Sequence, residues 1–138
     1  MAEIDLDGLE ITDEMLREIH VTWESKLLRL KHPYAFDLIK VMAPYPMPLR
    51  RTVVLTLLRS NRARLGLPVP PKFDDTAQGA LEFHCRESDN FKRRNVPDTE
   101  AIFCWPKGKG AGVWGLLREN AREWVKHNRS TLPARALK

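Results

Sequence analysis

Cations gather late in this chain: the run Lys92, Arg93, Arg94, then Lys107 and Lys109 inside the glycine-rich stretch PKGKGAG. A guanidinium forks onto phosphate oxygens and an ammonium meets them as a point charge. Such residues suit phosphate contacts that set register without reading sequence. Upstream, Gln78, Glu82 and Arg86 recur at helical spacing. Gln can pair bidentately with adenine and Arg with guanine, each worth about 1–3 kcal/mol of discrimination. Glu82 can accept from cytosine but repels phosphate. Ordinary solvated charge is the plain alternative for each residue taken singly. The sum favours nucleic-acid chemistry, because helix face, basic loop and basic tip share one stretch from Gln78 to Lys109.

Other chemistries lack their patterns. A zinc site could be imagined from His84, Cys85, Cys104 and His127, yet no C-x-x-C or H-x-x-x-H spacing is present. Adjacent His84 and Cys85 would diverge by about 100° around a helix. The GKGAG turn lacks the G-x-x-x-x-G-K-[ST] phosphate-loop pattern. No serine sits in a nucleophile motif, and no histidine has an assured acid partner. Neither catalysis, a cofactor nor a metal is expected.

The elements that must position the cations follow from spacing. Thr12 caps a first helix with Asp13 and Glu14 in its first turn. Met15, Ile19, Trp23, Leu27 and Leu30 form its apolar stripe, to about Lys31. Pro33 opens a second, short helix burying Phe36, Ile39 and Met42. Ala43 to Pro48, APYPMP, is a break. A third helix from Leu49 to Leu65 buries Leu49, Val53, Val54, Leu57, Leu58 and Leu65, and turns Arg50, Arg51, Arg59, Arg62 and Arg64 outward. Gly66 stops it. After a proline-rich connection, a fourth helix from Asp75 to Glu87 is capped by Asp74, Asp75 or Thr76. It buries Ala77, Ala80, Leu81, His84 and Cys85, and its outer face is Gln78, Glu82 and Arg86. Ser88 to Pro97 reads as a polar connection, with Phe91 as a core candidate.

Ile102 to Trp105 and Val113 to Leu116 then read as strands of one hairpin, with Gly108, Gly110 and Gly112 permitting its reversal. Phe103 and Trp105 should share one strand face and Cys104 the other. Trp105 and Trp114 flank the turn, where packing onto the helices explains them better than base stacking. A last helix from about Leu117 to His127 buries Leu117, Ala121, Trp124 and Val125, and a frayed tail follows.

Charge divides along the chain. Residues 1–48 carry 5 Lys/Arg against 9 Asp/Glu, net −4, whereas residues 49–138 carry 18 against 9, net +9. An anionic partner is therefore expected for the later part. The start, MAEIDLDGLEITDE, lacks the basic flank and apolar core of a signal peptide. No apolar run reaches about 18 residues, so no membrane partner is expected. Cys85 and Cys104 then read as reduced thiols in a cytoplasmic protein.

The ordering F-x-W-P-x-G-x-G-x-G-V-W-x-L, after an amphipathic helix and a polar link, resembles the terminal wing of winged helix-turn-helix modules. Such modules occur in bacterial regulators and in proteins accompanying nucleases, and the resemblance covers about residues 75–117. It implies DNA recognition through the helix before the hairpin, although many winged helices bind proteins instead. One helix of the usual trihelical core is missing between Gly66 and Asp74, so an extended segment or an N-terminal helix must fill its place.

The expected fold is mainly α with one β-hairpin, an α+β winged-helix-like domain with an N-terminal helical extension. Residues 1–48 form the acidic extension packed on the core, 49–128 the basic domain and 129–138 a flexible tail. The expected function is non-enzymatic binding of double-stranded DNA, in regulation of transcription or of a mobile element in a bacterial cytoplasm. Lys92, Arg93, Arg94, Lys107 and Lys109 would hold phosphates, with Gln78 and Arg86 near base edges. The alternative is a protein-interaction module or dimeric adaptor, with a homodimer formed through the N-terminal helices.

Overall fold

Thr12 Oγ1 accepts a hydrogen bond from Met15 N at 3.1 Å, and Asp13 and Glu14 occupy the first turn of α1 (Asp13–Trp23). The hydroxyl satisfies an amide that the helix leaves orphaned, and the carboxylates complement its dipole. The computed structural model describes Leu9, residues 11–23 and residues 31–129. Met15 is buried as expected, and Leu16 beside it as well. For the rest of the expected stripe, the side chains of Ile19 and Trp23 and the whole of Leu27 and Leu30 lie outside what is described, as does the tail from residue 130. Leu9 and Ile11 belong to the core, and Ile11 O accepts from Lys40 Nζ at 2.7 Å.

Phe36, Ile39 and Met42 are buried on α2 (Lys31–Met42), but so are Tyr34, Ala35, Leu38 and Val41. From Tyr34 to Met42 only Lys40 is less than fully buried, and a helix so enclosed belongs in an interior. Accordingly α2 packs against α1, and against α3, α4 and β3, introduced below. One apolar cluster joins Leu16, Leu38, Leu58, Leu81, Phe103 and Val125, so residues on both sides of the proline loop share a core.

The third helix starts two residues later than its spacing suggests. Leu49 and Arg50 form a strand, β1 (Leu49–Arg50), and α3 runs Arg51–Arg64. β1 pairs antiparallel with β3 (Val113–Leu116), Leu49 opposite Trp114 and Arg50 opposite Val113. β3 also pairs antiparallel with β2 (Phe103–Cys104). The expected hairpin is thus two strands of a three-stranded sheet ordered β1-β3-β2. The added strand satisfies backbone groups that an uncovered edge of β3 would leave open. Phe103 and Cys104 are both buried, because both faces of β2 are covered.

α4 runs Phe73–Phe83, shorter than expected at its end. Asp74, Asp75 and Thr76 lie inside it rather than capping it, after Lys72, which makes no side-chain cap. His84 and Cys85 are buried beyond its last turn. There the sheet outcompetes the helix: His84 O accepts from Ile102 N at 2.9 Å and Phe103 N at 3.0 Å, and Arg86 N donates to Phe103 O at 3.0 Å. The polar connection holds a short helix, α5 (Asp89–Lys92), capped by Ser88, and a 3₁₀ turn over Asp98–Glu100. Phe91 is buried there, as expected.

α6 (Arg118–Arg129) buries Ala121 and Val125 and half-buries Trp124. Arg118 Nη2 donates to Ala43 O and Tyr45 O, both at 2.8 Å, fastening α6 to the proline loop. No helix among the described residues is long and apolar enough to cross a membrane.

Two assignments on α3 exchange places. Val53, expected in the core, is exposed, while Leu55 is buried. Arg62, expected among the outward cations, is 1% exposed. Its Nε donates to Pro68 O at 2.7 Å, and its guanidinium lies 5.4 Å from the Tyr34 ring centre and 5.6 Å from that of Phe73. Its Nη1 is 3.4 Å from His20 Nδ1, and His20 Nε2 is 2.6 Å from Asp37 Oδ2. Arginine donates only, so this geometry fits a neutral imidazole that accepts at Nδ1 and donates from Nε2 to the carboxylate. Aromatic faces and a carbonyl replace the water a buried guanidinium loses.

Candidate nucleic-acid interface

Arg51, the first residue of α3, sits where the hairpin loop returns: its backbone N donates to Gly112 O at 2.8 Å. Its Nε donates to Gln78 Oε1 at 2.7 Å, bridging α3 to α4. Gln78 Nε2 donates to Glu82 Oε2 at 3.0 Å, one turn along α4. The other Glu82 oxygen accepts from Asn90 Nδ2 at 3.3 Å, and Arg93 Nη1 donates to Asn90 Oδ1, also at 3.3 Å. Asp89, next to Asn90, has its Oδ2 3.5 Å from Lys109 Nζ. A ribbon of polar side chains therefore runs from Arg51 across α4 to Asn90 and Arg93 at α5, and the neighbouring residue in the chain, Asp89, separately pairs with Lys109 of the hairpin tip.

The tip is shaped by glycine. Gly108, Gly110 and Gly112 have φ of +90°, +81° and +71°, a region that side-chain-bearing residues enter at a cost. Lys107 and Lys109 are exposed on this turn. At its base Gly115 serves another purpose, since a Cβ there would lie 2.8 Å from Cys104 Sγ.

Gln78 and Arg93 belong to the ribbon, and Lys109 pairs with Asp89 beside it. Lys92 and Lys107 are exposed beside Arg93 and Lys109 in the chain. Arg86 takes a different anchor: its Nε donates to Glu87 Oε2 at 2.9 Å, and Glu87 Oε1 accepts from Trp105 N at 2.7 Å where the hairpin loop begins. Burial pushes the Glu87 carboxyl up, but the Trp105 amide and the Arg86 guanidinium together hold it below its ordinary value.

Arg94 is not gathered with the rest. Its guanidinium lies 4.1 Å from the Phe83 ring centre, its Nη1 donates to Phe83 O at 2.8 Å, and Nη2 is 3.7 Å from Glu100 Oε2. Burial lowers its pKa, opposed by the charge of Glu100. Arg94 lines a cavity of about 540 Å³ between the end of α4, the 3₁₀ turn and α6.

Spacing on the third helix places Arg51 merely among its outward cations, and passes over Asn90. Their roles depend on the pairing of residue 49 with residue 114 and on the short α5, neither of which leaves a local pattern. Cys85 is no reactive thiol: burial pushes it up to about 12, so it stays protonated at neutral pH. No group of three or more His, Cys, Asp or Glu among the described residues could hold a metal ion. No family model, curated protein or solved structure matches this chain.

Proposed function

We propose that this protein binds double-stranded DNA without catalysis, as a regulator of transcription or of a mobile element, using α4 and the β2–β3 hairpin as helix and wing. The observation that carries the reading is the side-chain ribbon from Arg51 through Gln78 and Asn90 to Arg93, with Lys109 paired to Asp89 beside it. On this reading helix face, basic turn and basic tip meet a duplex from one side.

The element order supports it. β1, α3 and α4 are followed, after α5 and the 3₁₀ turn, by β2 and β3, with the sheet ordered β1-β3-β2, and α2 packs on both α3 and α4. This order agrees with a winged-helix arrangement in which α2 supplies the helix missing between Gly66 and Asp74. In such an arrangement α4 presents Gln78 to base edges in the major groove. Arg51, Lys92, Arg93, Lys107 and Lys109 hold flanking phosphates, and Arg86 stands at the foot of the wing. Arg94 serves the fold instead, under Phe83. Glu82 within the ribbon and Asp89 beside it hold Gln78, Asn90 and Lys109 in place, and they weaken indiscriminate attraction to phosphate.

Fluorescence anisotropy of a labelled duplex, titrated over a series of salt concentrations, tests the proposal. The logarithm of the affinity should fall linearly with the logarithm of salt, by about 0.9 per phosphate neutralised. A salt-insensitive association, or none at low ionic strength, contradicts it. The protein-interaction reading draws on exposed Tyr45, Met47 and Val53. It wins if light scattering shows a dimer and the duplex does not bind.

A further inference from the structure

We propose that the cavity between the end of α4, the 3₁₀ turn and α6 is a binding site for a free α-amino acid with an aromatic or large apolar side chain. Phe83, His84 and Trp124 wall it, and Arg94, Glu100 and Glu123 supply charge of both signs. At about 540 Å³ it falls in the size range of small-molecule sites, which run roughly 300–1,000 Å³.

The charge pattern selects the ligand. Arg94 Nη2 and Glu100 Oε2 are 3.7 Å apart, close for charges but beyond hydrogen-bond reach. Opposite charges so close suit a ligand whose own opposite charges share one carbon. Its carboxylate meets the Arg94 guanidinium and its ammonium meets Glu100 and Glu123, both well exposed to receive it. Arg94 is positioned in advance, stacked on Phe83 and donating to its carbonyl. Glu123 is 3.8 Å from Lys126, an exposed pair that water screens and a ligand displaces at little cost. Trp124 is held by Phe36 at 4.7 Å and His84 at 5.5 Å between ring centres, a rigid wall for an apolar side chain. The cavity shares no requirement with the nucleic-acid face, and its test uses no nucleic acid.

Calorimetric titration with L-phenylalanine, phenylacetate and phenethylamine separates the two charges. L-Phenylalanine should bind saturably, and each analogue, lacking one charge, about tenfold or more weakly. Bound phenylalanine should shift the Trp124 indole N–H in a ¹H–¹⁵N spectrum, assigned with Trp124→Phe. The double variant Glu100→Gln/Glu123→Gln alters surface side chains and spares the fold. It should weaken phenylalanine about tenfold and remove the penalty on phenylacetate. No saturable binding at millimolar phenylalanine, an analogue binding as tightly, shifts that avoid Trp124, or a double variant indistinguishable from wild type each overturns the proposal.

Discussion

Arg62 and Arg51 sit on the same helix, one sealed in the core and the other beside the returning hairpin loop. Arg62 directs its donors inward, onto Pro68 O and toward His20, between the rings of Tyr34 and Phe73. Arg51 is half-buried and gives Nε to Gln78, at one end of a ribbon whose other members are largely at the surface. Charge in the first setting is coupled to folding, because removing one partner strands the others without water. In the second setting water replaces any missing partner, so stability barely registers the change and a charged ligand registers it strongly.

Arg62 carries the largest expected effect. Arg62→Ala should lower the unfolding free energy in urea by about 3–5 kcal/mol, since it strands His20 and Asp37 and opens a cavity. A loss below about 1 kcal/mol would mean the buried set holds little together.

Gly115→Ala comes next. The new methyl would meet Cys104 Sγ at 2.8 Å and Pro106 Cδ at 3.5 Å at the foot of the wing. Overpacking there should cost about 1–3 kcal/mol by thermal or urea unfolding, although Gly→Ala at an open site is benign.

Glu87 sharpens the boundary between the two settings, being half-buried and joining Arg86 to the wing. Its folded pKa lies below its unfolded value, which is about 4.3 for glutamate. The stabilisation is therefore complete above the unfolded value and is lost as pH falls through the folded one. Glu87→Gln should cost about 1 kcal/mol at neutral pH and flatten the acid limb of the stability profile. An unchanged acid limb would remove Glu87 as a fastener of the hairpin.

The smallest effect on folding belongs to the tip. Lys109 and Asp89 form an exposed pair, so Lys107→Ala/Lys109→Ala should change stability by no more than about 0.5 kcal/mol. The same variant should reduce the salt slope of duplex binding by about 0.9 for each phosphate left without its lysine.

Much of the fold is legible where local spacing alone decides it. Phe36, Ile39 and Met42 on α2, Ala77, Ala80 and Leu81 on α4, Ala121 and Val125 on α6, the Thr12 cap and the glycine turn follow from periodicity and backbone freedom. What stays hidden is decided across the chain. Leu49 and Arg50 extend because Trp114 and Val113 lie beside them, and α4 stops at Phe83 because Phe103 takes over the backbone of the next residues. By spacing Arg62 is indistinguishable from its outward neighbours Arg59 and Arg64, as its rings and carbonyl come from Tyr34, Phe73 and Pro68. For the candidate site, the residue types of the ribbon can be read from sequence, whereas the inward turn of Arg94 cannot. That turn depends on Phe83 offering both a ring face and a carbonyl at one place.

The most direct measurement is a ¹H–¹⁵N map of the protein titrated with a short random-sequence duplex at low salt. Resonances of Arg51, Gln78, Asn90, Arg93 and the turn from Lys107 to Gly112 should move together, while those of α2 and of Arg62 stay in place. Shifts concentrated on the proline loop and the outer side of α6, or no shifts at all, would contradict a duplex-binding face built from α4 and the hairpin.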